Sequence, residues 1–143
     1  SAKADFICKA DFILAQARIS LYNAVEVIDM AENKLADLST DFAVKILKLT
    51  DGIKGHYSLV NQLERSATSI GANIAEAQKG QSKADFTAKM QIALKEACET
   101  DYWLRLLCRT EYITKEQYTS MNQNVDELIS MLSAICKTAK ENQ

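Results

Sequence analysis

From Phe42 onward the apolar positions recur at steps of three and four residues. That spacing keeps side chains on one face of an α-helix, and a strand with its period of two cannot produce it. Phe42, Ile46, Leu49 and Ile53 make the first stripe, and Leu59, Leu63, Ala67, Ile70, Ile74 and Ala77 the second. Phe86, Met90, Ala93, Ala97, Thr100, Leu104 and Leu107 make the third; Tyr118, Met121, Val125, Leu128, Leu132, Ile135 and Ala139 make the fourth. Turn signals lie between them at Asp51-Gly52, at Gly55-His56, from Lys79 to Ser82 and from Tyr112 to Thr114. The pattern predicts helices over about 40–50, about 58–78, from the Ser82 region to about Arg109, and onward from Thr114. Ser39 to Asp41 are available to cap the first, Ser82 with Asp85 resembles a cap for the third, and Thr114 with Gln117 forms a T-x-x-Q capping box for the fourth.

Short connections make consecutive helices antiparallel neighbours, so the expected fold is all-α, an up-down-up-down four-helix bundle. Residues 1–29 carry their own stripe: Phe6, Ala10, Ile13, Leu14, Ala17, Leu21, Ala24, Val25 and Ile28. This adds an N-terminal helix or helical extension. It can also join the first helix, because Met30 to Leu38 holds no strong breaker. The expected organisation is an extension over 1–29 and a bundle over 30–143, with Met30 also a candidate start residue.

Composition sharpens the picture. With no proline, four glycines and 48% hydrophobic residues in 143, little interrupts helix and a single domain can bury a core. The second helix is rich in small residues, Ser66, Ala67, Ser69, Gly71, Ala72 and Ala75, which admit a close neighbour. Gly71 costs about 1 kcal/mol of helix propensity relative to alanine, and close packing is the expected compensation. Cys8, Cys98, Cys108 and Cys136 form no CxxC pair and fall inside helical patterns, so they read as buried free thiols in a reducing cytoplasm. The opening SAKADFICKADF lacks the uninterrupted apolar run of a secretory signal, and no stretch has the ~18 apolar residues of a membrane span.

The residues that carry chemistry are sparse. His56 is the one histidine and has no partner for a metal site or catalytic dyad. There is no Glu-x-x-His pair for a di-iron bundle, so Glu96, Glu99 and Asp101 read as solvated charges. Cys98 has no histidine within helical reach, and the glycines form no phosphate-binding loop. Neither catalysis, metal nor cofactor is expected. One feature goes beyond packing: Ala88, Ile92, Trp103 and Leu106 form a second apolar stripe on the third helix, away from its seam. Such a stripe needs a cover, either the N-terminal helix or another subunit.

The run QLERSATSIGANIAEAQKGQSKADF, Gln62 to Phe86, combines an S-I-x-A-N-I-A-E motif with S-K-x-x-F, and MQIALKEACETDYWLRLL follows from Met90 to Leu107. Together these resemble the bacterial S23 proteins encoded in intervening sequences of 23S ribosomal RNA genes. The likeness covers roughly Met30 to Lys140. Many relatives have proline where this chain has Gly71, and glycine where it has Ala77. The resemblance implies a cytoplasmic bacterial protein with no known catalytic activity and a tendency to form ring-shaped homopentamers. It also implies a nucleic-acid role, because similar bundles accompany the reverse transcriptases of diversity-generating retroelements. A reverse transcriptase is thus a protein partner that the resemblance brings in.

Within the motif, Asn73 and Glu76 read as structural polar groups that bond across helices or to a loop, with partner binding as the other reading. A net charge of -2 offers no bulk attraction for nucleic acid, so binding needs a local patch. Between Arg65 and Arg109 seven basic residues, Arg65, Lys79, Lys83, Lys89, Lys95, Arg105 and Arg109, outnumber five acidic ones, Glu76, Asp85, Glu96, Glu99 and Asp101. The expected functions are an oligomer that holds RNA or DNA weakly through this patch, or a structural oligomer or protein adaptor.

Overall fold

The computed structural model describes the backbone of residues 2–142, and the side chains of residue 9 and residues 11–142. Four helices run in chain order, α1 (Ala2–Asp51), α2 (Tyr57–Gln78), α3 (Lys83–Arg109) and α4 (Lys115–Glu141), with no strand among the described residues. The fold is all-α.

The first helix begins far upstream of Thr40. No glycine or proline stands between Ala2 and Asp51, so nothing ends the helix there. The Ser39 and Thr40 hydroxyls do not cap it. Both donate back to the Ala36 carbonyl, at 2.8 and 3.0 Å, as hydroxyls inside a continuous helix do. The N-terminal stripe therefore belongs to α1 and is not a separate element; of its members, the side chains of Phe6 and Ala10 lie outside the described residues.

The chain divides into two compact units, Ser1–Lys34 and Leu35–Gln143. In the first, every side chain from Asp11 to Ala31 is exposed. The second holds the core. Phe42, Ile46, Leu63, Ile70, Ile74, Met90, Leu104, Leu107, Val125, Leu128 and Leu132 are almost wholly buried, with Ala67, Ala93 and Ala97 at zero exposure between them. The four stripes converge on this core, and Leu59, Phe86, Tyr118, Met121 and Ile135 flank it half-buried. Leu35, Val60, Ile113 and Cys136 join it from outside the stripes.

Hydrogen bonds mark which helices are neighbours. Thr50 on α1 donates to Glu64 on α2 at 2.6 Å, and Lys45 on α1 to Asn124 on α4 at 3.1 Å. Buried between α2 and α3, the Thr100 and Ser66 hydroxyls stand 2.9 Å apart, and Asn122 on α4 donates to Asp101 on α3 at 2.9 Å. All buried side-chain polar atoms among the described residues are partnered. Helix starts follow local chemistry: Ser82 accepts from the Asp85 amide, and Thr114 and Gln117 complete a reciprocal capping box. His56 instead enters α2 in the left-handed region at φ 48°, its exposed ring packed 4.6 Å from that of Tyr112.

The glycine in α2 is there for proximity. A Cβ added at Gly71 meets the Ser39 Oγ of α1 at 3.2 Å, tighter than ordinary contact. Gly71→Ala alone is expected to leave stability within about 0.5 kcal/mol, the helix-propensity gain offset by that contact. In a Ser39→Ala background the contact is gone, and the same change is expected to add about 1 kcal/mol in urea denaturation.

Candidate nucleic-acid interface

The turn between α2 and α3 is built by two local events. The Gly80 amide donates to the Ala77 carbonyl at 3.0 Å, closing α2, and Ser82 caps α3 two residues later. A Cβ at Gly80 would lie 3.0 Å from that carbonyl and 3.3 Å from the Phe86 amide nitrogen, so the tight reversal leaves no room for a side chain. The reversal opens a cleft of about 530 Å³ lined by residues that include Glu76, Lys79, Gln81, Asp85 and Lys89.

Lys79 and Lys83 are exposed at this turn, while Lys89 is half-buried and ion-paired with Glu76 across the two helices. Lys83 opens α3, where the helix dipole adds positive potential to that of the lysines. Asp85 works against it.

The other four cations lie elsewhere. Arg65 on α2 and Lys95 on α3 both face Glu96, whose carboxyl is held above its usual range by burial and then by Glu99, with Arg65 and Lys95 pulling the other way. Arg105 is ion-paired with Asp101 one turn away, and the hydrogen bonds to Asp101 and Tyr118 hold its charge still more firmly. Arg109 is exposed in the last turn of α3, about 39 Å along the helix axis from Lys83. The seven basic residues therefore do not form one patch. Asp101, expected to be a solvated charge, is instead paired with Arg105, which their i, i+4 spacing could have signalled; Glu76–Lys89 joins residues on different helices and had no signal in sequence.

Asn73 bonds within its own helix, donating to the Ser69 carbonyl at 2.8 Å, while Glu76 is exposed and reaches α3 through Lys89. The second stripe of α3 is divided. Ala88 and Ile92 are exposed, whereas Trp103 and Leu106 are half-buried. The Trp103 indole donates to Glu99 at 3.1 Å and meets Tyr102 edge-on at 4.9 Å. That exposed Tyr102 was not among the expected stripe residues.

The thiols differ from one another. Cys136 is buried, its pKa pushed up by burial, and Cys108 is half-buried. Cys98 is exposed, contrary to the expectation of burial, because it falls one residue beyond Ala97 on the seam and so turns to solvent. The side chain of Cys8 lies outside the described residues. Among the described residues no His, Cys, Asp or Glu cluster could hold a metal ion, and no helix is long and apolar enough to cross a membrane.

A family model described as 23S rRNA-intervening sequence protein matches residues 31–134. The chain belongs to that family. A crystal structure of an S23 ribosomal protein family member of unknown function, from Bacteroides thetaiotaomicron VPI-5482, is 49% identical, with a TM-score of 0.71. The match covers 75% of this chain and 98% of that one. No curated protein matches. The S23 family match includes all seven basic residues and the α3 stripe, and begins beyond the apolar segment at the start of α1.

Proposed function

We propose that this S23-family chain is a non-catalytic, up-down-up-down bundle that forms a homo-oligomer and holds nucleic acid weakly by its phosphate backbone at the α2–α3 turn. The observation that carries the reading is the open cleft lined by Lys79 and Lys89, together with Lys83 exposed at the start of α3. Glu76 and Asp85 leave this turn with one net positive charge, too little for a single copy to bind tightly. An oligomer repeats the turn once per subunit, and repetition raises avidity without new contacts. Such contacts position a backbone and read no sequence. The name of the family, tied to 23S rRNA genes, agrees with a nucleic-acid setting.

The test is an electrophoretic shift with single-stranded RNA, duplex RNA and DNA at ~50 mM salt, where phosphate contacts are strong. The wild type is expected to shift all three with little sequence preference. Lys79→Glu, Lys83→Glu and Lys89→Glu together are expected to abolish the shift while the oligomer mass is unchanged. No shift with the wild type would leave the protein-adaptor reading, which the exposed Ile92 and Tyr102 of α3 favour.

A further inference from the structure

We propose that residues 14–31 are a self-pairing segment, in which Leu14, Leu21 and Ile28 of one copy seat against Ala31, Ala24 and Ala17 of an antiparallel second copy. This deepens the assembly part of the reading above and does not depend on nucleic acid being bound.

Three observations carry it. First, these six residues follow a strict three-four spacing, large at one heptad position and alanine at the other. Leu35, Leu38 and Phe42 continue the same phase, and Leu35 and Phe42 are buried in the core, so the segment carries a seam of the kind a helix partner fills. Second, the stripe is open: Leu14 is 58%, Leu21 68% and Ile28 56% exposed, with Ile13, Val25 and Val27 exposed beside them. A single helix cannot bury its own face.

Third, the pattern is self-complementary in one orientation. Turned antiparallel, each large residue meets an alanine in all six layers, whereas a parallel pair sets large against large and small against small. The charges agree. Within the segment Arg18 leaves the first half one net positive charge, and Glu26 and Asp29 leave the second half two net negative. An antiparallel pair brings opposite halves together, and a two-fold axis makes the contact closed. The stripe is about 27 Å long. That puts it at or below the ~800 Å² per partner of a standard interface, so dissociation on dilution is expected.

Light scattering on the full chain separates this from its rivals. At tens of micromolar the wild-type mass is expected to be an even multiple of 15.9 kDa. Leu21→Glu with Ile28→Glu is expected to halve it, whatever the bundle does on its own, with the helical circular dichroism of the bundle retained because both residues lie outside the buried core. A single-copy mass, an odd multiple, or a mass that the two glutamates leave unchanged overturns the proposal. In the last case an Ile92→Glu variant that lowers the mass shows that α3 joins the copies. A single-copy wild type that still shifts RNA overturns the pairing and leaves the α2–α3 reading standing.

Discussion

Phe42→Ala is expected to destabilise the bundle by about 3–5 kcal/mol, the largest effect of any single truncation considered, lowering Tm by roughly 10–20 °C. The ring is 1% exposed and is the largest side chain of the buried core. Its removal forfeits both the transfer free energy of the ring and the dispersion contacts around the cavity it leaves. The comparison is Val44→Ala, two residues along the same helix but 44% exposed, which is expected to change stability by less than about 0.5 kcal/mol. Thermal unfolding followed by circular dichroism at 222 nm checks both. Equal losses from the two variants would contradict the assignment of the α1 seam.

The opposite change at a small position is expected to be costly for the opposite reason. Ala67 has no exposed surface in α2, within the run of small residues that lets its neighbours approach. Ala67→Leu adds three carbons at a site closed to solvent, where close packing forces neighbours off their rotamers or the helices apart, at about 1–3 kcal/mol. Ala72→Leu, on an exposed position of the same helix, gains almost no burial and is expected to be near neutral. Urea denaturation of the pair measures the difference. If Ala67→Leu is tolerated as well as Ala72→Leu, α2 is not tightly packed at its small face.

The four stripes were legible because burial and helical period act on the same residues. Met90, Ala93, Ala97, Thr100, Leu104 and Leu107 are read from spacing alone, and all six are buried. The caps at Ser82 and Thr114 were legible because their chemistry is local. The start of α1 was legible only as one of two alternatives, since the lack of a breaker from Met30 to Leu38 allowed the N-terminal stripe to join it while Ser39 to Asp41 offered a cap. Ser39 and Thr40 have the composition of a cap, and whether a hydroxyl caps a helix or bonds back within one depends on the backbone that precedes it. Leu35 and Ser39 were missed in the core for the same reason.

The candidate interface was legible only in part. A count of charges between Arg65 and Arg109 finds seven cations, but an excess along the chain is not a patch in space. Glu76 takes Lys89 across two helices, and the charge of Arg65 on α2 acts on Glu96 of α3. Those pairings depend on how α2 and α3 pack and carry no local signature. What survives is the smaller group at the α2–α3 turn, where connectivity holds Lys79 and Lys83 four residues apart across Gly80 and the α3 cap.

The most direct test of that turn is the salt dependence of binding, followed by fluorescence anisotropy of a labelled single-stranded RNA between 50 and 200 mM salt. If Lys79 and Lys83 each neutralise one phosphate, the slope of log K against log salt is expected to be about −1.4 per engaged turn, and steeper when an oligomer engages several. That is a loss of roughly 7-fold or more in affinity across the range. The charge-reversed variant is expected to show no binding at 50 mM. An affinity that is flat with salt, or a wild type that leaves the RNA free at 50 mM, would contradict the account.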